Sequence, residues 1–165
     1  MFIANAARTV FQPALTLDAR SWRRTVQINA EAFLLGAQLA APLMRRNGGG
    51  RVIGLSSLGS RYYVPSYAAL GAAKAAIESL ARYLAVELAP DINVNVVCGG
   101  FVDTDSMRMV PDYDTVVRTV AEQTPARRVG RPEDLAAIVA FLCSAESDWI
   151  RGQTLVADGG FSLGL

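Results

Sequence analysis

The sequence contains no histidine, and that absence removes Ser/His/Asp triads, the HExxH zinc motif and histidine general bases together. Proton transfer has to come from Tyr, Lys, Asp, Glu or water, and no metal site is expected. Lysine is almost as scarce: of 16 basic residues, fifteen are Arg and one is Lys74. Where Arg serves for plain positive charge, a lone Lys in the apolar stretch GAAKAAIESLA points to a task unsuited to the guanidinium fork. On this count alone, chance in an Arg-rich composition accounts for it equally well. The only two cysteines, Cys98 and Cys143, stand in segments that read as a strand end and an apolar helix, so a disulfide framework is not expected and a reducing cytoplasm fits. Charge of one sign is not in excess: the net charge is +1, which gives no long-range attraction to nucleic acid or an anionic membrane. Long apolar runs are missing too, since Gln38, Pro42 and Arg45 interrupt the longest candidate for a membrane span. The start MFIANAARTVFQ lacks a basic segment followed by an apolar one, so no secretory signal is expected.

What the sequence does contain is enough apolar residues, 52% of 165, to build one core, and the whole chain reads as a single domain over 1–165. Long helical patterns alternate with short apolar runs, which predicts an α/β fold of about four parallel strands with helices on both faces. Residues 2–4 read as a strand stub. A helix is expected over 19–46, with Trp22, Val26, Phe33, Leu34, Ala37 and Leu43 inward, ending at Gly48-Gly49-Gly50. That glycine run follows a helix and precedes a strand, so it is a connector and not a phosphate loop. Strands are expected at 51–56, 92–98 and 153–157, and helices at 66–89 and at 131–144, the latter started by Pro132. Residues 101–125, with Met107, Met109, Val110 and Tyr113, suggest a mobile flap over an apolar ligand.

Ser57, Tyr67 and Lys74 form the central constellation. Seven residues along a helix return to within about 20° of the same face, so Tyr67 and Lys74 are expected to point into one cleft. Ser57 falls at the carboxyl end of a strand, where open parallel sheets bind ligands. An ammonium beside a phenol lowers its pKa and makes it a usable proton donor. An ordinary helix-start Tyr, a solvated Lys and a strand-end Ser fit the same spacing.

The run SSLGSRYYVPSYAALGAAKAAIESLARYLAVELAP resembles the active-site segment of the short-chain dehydrogenase/reductase family. Mainstream members place the Tyr four positions before the Lys, where this chain has Leu70, whereas a Tyr-x6-Lys spacing is that of enoyl-acyl-carrier-protein reductases. With Cys98-Gly99-Gly100-Phe101-Val102-Asp103-Thr104-Asp105 and IRGQTLVADGG, the chain looks most like the type III, NADPH-dependent enoyl reductases of bacteria. Gly99-Gly100 in place of the mainstream Pro-Gly is a second point of likeness. The resemblance implies a Rossmann-type doubly wound sheet and reduction of an enoyl thioester, held on acyl carrier protein, with hydride from NADPH or, alternatively, NADH. It also implies fatty-acid or related biosynthesis in the cytoplasm and a homotetramer built on the two long helices and the last strand.

Carried over residue by residue, it implies that Tyr67 stabilises and protonates the enolate, that Lys74 holds the nicotinamide ribose and lowers the Tyr67 pKa, and that Ser57 orients the substrate carbonyl. Asn29 matches the Asn that bends its helix and holds a water in a proton relay. Asn5-Ala6-Ala7 resembles the end of an Asn-Asn-Ala-Gly turn against the cofactor, with Ala4 where the first Asn is usual. Thr104 matches the residue that binds the nicotinamide carboxamide, and Gly99, Gly100 and Val102 line the same pocket. Family chains are longer at the N-terminus, so a first βαβαβ unit with the Gly-rich pyrophosphate turn is expected to precede Met1. Three readings stay open: an enoyl reductase, a carbonyl or alcohol reductase carrying the shifted Tyr, and a non-catalytic remnant that serves as a binding scaffold.

Overall fold

In the computed structural model, which describes residues 1–8, 10–105, 107–109 and 112–164, the short apolar runs form four strands. They are β1 (Phe2–Ala4), β2 (Gly50–Ser57), β3 (Ile92–Gly99) and β4 (Thr154–Ala157). All pair in parallel in the order β1-β2-β3-β4, and β2 and β3 are matched from Gly50↔Ile92 to Ser57↔Gly99. Parallel strands need crossovers, and the helices supply them: α1 (Ala19–Val26), α2 (Ala32–Arg46), α3 (Ala68–Glu87), α4 (Tyr113–Gln123) and α5 (Pro132–Cys143). Alternation along the strands splits the core in two. Val52, Val94 and Val96 pack with Phe33 of α2 and Ile77 of α3 on one face, while Ile53 and Val97 meet Leu142 of α5 on the other. The strand order advances steadily while α5 lies opposite α2 and α3, so the last crossover has the opposite hand to the first two. Its long connection starts at the carboxyl end of β3, beside the site described below.

The expected 19–46 helix is one helical run with a π turn at Gln27–Glu31 between α1 and α2. Asn29 accounts for the widening: its Nδ2 donates to the Thr25 carbonyl at 2.8 Å, on the acceptor that the regular i→i−4 ladder would use. Asp18 caps the start by accepting from Ser21 N at 2.8 Å, and Gly48 (φ 81°) and Gly49 (φ 114°) turn the chain out at the end. Phe33 and Ala37 are buried as expected, but Trp22 and Leu43 are exposed. Leu43 belongs to a second apolar stripe, Leu35-Leu39-Leu43, that faces away from the sheet.

The stretch 101–125, where a flap is expected, carries a regular element. Its second half is α4, whose Val120 is buried; Val110 lies outside the described residues. α5 begins with Pro132 at its first position, and the Asp134 side chain accepts from Arg131 N at 2.7 Å. Cys98 and Cys143 are free thiols. No helix of the described residues is long and apolar enough to cross a membrane.

Candidate active site

The residues expected to carry function lie along one edge, at the carboxyl ends of the parallel strands, where open sheets bind ligands. Asn5 and Ala6 follow β1 and are exposed. Ser57 ends β2 directly beside Gly99, which ends β3, and Gly100, Val102 and Thr104 follow.

Ser57, Tyr67 and Lys74 converge on the end of β2. Tyr67 is the residue immediately before α3, and its hydroxyl lies 3.2 Å from Ser57 Oγ. Its ring sits where side chains are missing: a Cβ on Gly59 would come within 2.5 Å of Tyr67 Cδ1, and a Cβ on Gly71 within 2.4 Å of the Gly59 carbonyl oxygen. Alanine at either position would unseat the phenol. Ser66, just before it, has a left-handed φ of 59°, and its carbonyl accepts from Gln12 N at 2.9 Å. The segment after β1 therefore straps across the start of α3, and Phe11 places its ring 6.0 Å from that of Tyr67, inclined by 39°. A cavity of about 460 Å³ opens here, lined by Pro13, Leu15, Tyr62, Val64, Pro65 and Tyr67 among others, a size suited to a small apolar ligand.

Lys74 is 6% exposed and donates from Nζ to the Leu55 carbonyl at 2.9 Å. Burial pushes its pKa down from 10.5 to about 8, so the ammonium is charged at neutral pH. With one N–H used, two donors remain, which fits a ligand bearing vicinal hydroxyls such as the ribose of a nicotinamide nucleotide. Burial raises the Tyr67 pKa, with the Ser57 hydrogen bond pulling the other way and the Cys98 thiol adding to the rise. The expected lowering of the Tyr67 pKa by Lys74 is thus corrected: the ammonium is turned to Leu55, and desolvation governs the phenol. Tyr67 is accordingly a neutral donor at pH 7.

Asn29 lies on the π turn, which packs against α3; its Nδ2 also donates to the Arg8 carbonyl at 3.0 Å, and its buried Oδ1 has no partner among the described residues. Gly100 is held to glycine by neighbouring backbone, whereas at Gly99 the neighbour is the movable tip of the Leu135 side chain. A Cβ at Gly99 would meet Leu135 Cδ1 at 2.8 Å, and one at Gly100 would meet Asp158 Cβ at 2.7 Å. Val102 bridges to Gly130. Thr104 is exposed, and its Oγ1 accepts from Met107 N at 3.3 Å. Two residues that sequence reasoning missed stand at the same place: Phe11, which no local pattern marks, and Glu78, a buried carboxylate whose signal was an acid one turn beyond Lys74 in an otherwise apolar helix.

A family model described as Enoyl-(Acyl carrier protein) reductase matches residues 1–162. Among curated relatives, the 1-cyclohexenylcarbonyl-CoA reductase of Streptomyces collinus is 44% identical over 165 residues, covering 98% of this chain and 58% of that protein. Dehydrogenase/reductase SDR family member 4 of Homo sapiens is 34% identical over 162 residues, covering 97% of this chain and 58% of that protein. The chain thus spans somewhat over half the length of these relatives. A crystal structure of a gluconate 5-dehydrogenase from Burkholderia cenocepacia in complex with NADP and tartrate superposes with a TM-score of 0.93 at 28% identity, over 99% of this chain and 64% of that one.

Proposed function

Because the chain belongs to the short-chain dehydrogenase/reductase family, in the group that the enoyl reductase model describes, we propose that it reduces the carbon–carbon double bond of an enoyl thioester with NADPH, as a type III-like enoyl reductase. The observation that carries this reading is the position of the phenol. Tyr67 stands seven residues before Lys74 and is bonded to Ser57, while Leu70, where mainstream members place their Tyr, is buried and has no hydroxyl. In carbonyl reduction the proton goes to the oxygen on the carbon that takes the hydride. In enoyl-thioester reduction, hydride goes to the β-carbon and negative charge develops on the thioester oxygen, two carbons away. A donor moved about one helical turn from the lysine suits that longer reach. The similarity to a CoA-thioester reductase of an unsaturated ring acid supports the same reading.

The nicotinamide cofactor supplies the hydride. Lys74 would hold its ribose through the two spare N–H donors, with Asn5 and Ala6 beside the cofactor and Gly99, Gly100, Val102 and Thr104 on the nicotinamide side. Tyr67 donates to the thioester oxygen and then delivers its proton to the enolate, while Ser57 orients the carbonyl and turns its single O–H to the phenol oxygen as that proton leaves. Asn29 Oδ1 holds a water that returns the proton. The apolar cavity beside Tyr67 takes the acyl group. The decisive assay is turnover of enoyl-CoA and enoyl-acyl-carrier-protein thioesters against a ketone panel, each with NADPH and NADH. Thioester kcat/KM about a hundredfold or more above any ketone is expected, and equal or faster ketone reduction would favour the carbonyl-reductase reading.

We also propose that the active form is a homo-oligomer. Leu35, Leu39 and Leu43 on α2, with Tyr83 and Val86 on α3, form exposed apolar stripes on the two long helices. Leu39→Glu is expected to shift the mass seen by light scattering to a smaller species, and an unchanged mass would exclude this face.

A further inference from the structure

Three side chains from one short stretch, Ser56, Ser60 and Arg61, converge on the carboxylate of Glu78. Ser56 Oγ and Ser60 Oγ each donate to Oε1 at 2.6 Å, and Arg61 donates to Oε2 from Nε at 3.2 Å and Nη2 at 3.1 Å. Glu78 is 6% exposed, and a buried carboxylate is tolerated only when its oxygens are satisfied in this way. The stretch 56–61 ends β2 and forms the 3₁₀ turn Leu58–Ser60. It carries Ser57, which bonds the Tyr67 hydroxyl, and Gly59, against which the Tyr67 ring sits. Glu78 lies one turn beyond Lys74 on α3. The turn bearing one hydroxyl of the reacting pair is therefore fastened to the helix that follows the other at two levels. Backbone contact at Gly59 and Gly71 forms the upper level, and the Glu78 carboxylate forms the lower.

From this geometry we infer that Glu78 is a positioning residue, which sets the Ser57–Tyr67 distance by holding Ser56, Ser60 and Arg61 against α3. The inference rests on the reading of Ser57 and Tyr67 as the proton-donating pair. An amide replaces the carboxylate poorly: with its one oxygen on the Arg61 fork, both serine hydroxyls must turn from donating to accepting from its NH₂, and the charge that strengthens all four bonds is gone. Released from Glu78, the turn moves relative to α3 and the Ser57–Tyr67 bond lengthens. That bond lowers the Tyr67 pKa, so its loss has a signature in the phenol itself.

The test compares the full chain with Glu78→Gln and Ser57→Ala, each with ¹³Cζ-labelled tyrosine. In Glu78→Gln the Tyr67 titration is expected to move upward, as in Ser57→Ala. Enoyl-thioester kcat should fall about tenfold to a hundredfold while KM stays within about threefold, and the solvent isotope effect on kcat should rise as proton delivery becomes limiting. A role confined to stability would lower the melting temperature but leave kcat per folded molecule and the Tyr67 titration where they were, and that result would overturn the inference. If Glu78→Gln does not fold, Ser60→Ala removes one of the four bonds and is expected to show the same shift in smaller measure; no shift there also counts against it. A Tyr67 titration that moves, in a chain whose unaltered form reduces no enoyl thioester, would sink the reading of the reaction and uphold the role of Glu78.

Discussion

Tyr67→Phe is expected to lower enoyl-thioester turnover by about a thousandfold, with KM little changed. The phenol ring stays seated between Gly59 and Gly71, so binding surfaces survive and only the hydroxyl is lost. General acids contribute about 10²–10⁴-fold, and here the hydroxyl also opposes charge on the thioester oxygen. Ser57 remains and stabilises that charge in part, which leaves a residual rate. Leu70→Tyr, made in the Tyr67→Phe background, is expected not to restore activity. Leu70 is 5% exposed inside the packing of α3, so a tyrosine there overfills the core before its hydroxyl reaches Ser57. Tyr63 is 89% exposed, and Tyr63→Phe should leave the rate within about twofold. If Tyr63→Phe proves as damaging as Tyr67→Phe, the seven-residue spacing has been read on the wrong pair.

How much of this was legible in the sequence depends on how local each cause is. The central strand was readable because β-branched residues recur at every second position, Ile92, Val94 and Val96, and the end of α2 because only glycine easily takes the positive φ of positions 48 and 49. α4 is marked only by Tyr113, Val116, Val117 and Val120 on one helical face, a weak signal in a stretch whose polar and apolar residues are otherwise mixed. The strand end placed Ser57, but helix phase did not place Tyr67: α3 starts at Ala68 and not at the expected 66, and Tyr67 precedes it with φ −107° and ψ 8°. Three features did not follow, because each is made by residues distant in sequence. The Phe11 strap depends on where the chain after β1 crosses α3. The Glu78 anchor depends on the register of the 56–61 turn against the helix. The upward pKa of Tyr67 depends on burial, which no count of neighbouring charges reveals.

Lys74→Met is expected to make the chain more stable and catalytically almost inert, a combination that separates a functional lysine from a structural one. In the folded chain the ammonium is buried, its pKa is about 8 against 10.5 for the free side chain, and its one bond among the described residues goes to the Leu55 carbonyl. Below pH 8 the lysine is charged in both folded and unfolded states, and the full desolvation penalty, on the order of a few kcal/mol, weighs on the fold. Between pH 8 and 10.5 the unfolded chain binds more protons, so native stability rises with pH; above 10.5 the penalty is gone. Methionine fills similar volume without the charge, so its stability advantage should be greatest below pH 8 and should shrink through that window. At about 2–4 °C per kcal/mol for a chain of this size, thermal melts at pH 7 and pH 10 without cofactor resolve the difference. Lys74→Arg is expected to lose about a hundredfold in turnover, because the larger planar guanidinium, placed where the buried ammonium bonds the Leu55 carbonyl, does not present the same compact donors to ribose hydroxyls. It should also remove any weakening of NADPH binding near pH 8, since a guanidinium stays charged throughout that range. Near-normal turnover in Lys74→Arg, or a melting temperature for Lys74→Met that drops at pH 7, would make Lys74 an ordinary structural residue and leave the cofactor ribose to be held by another group.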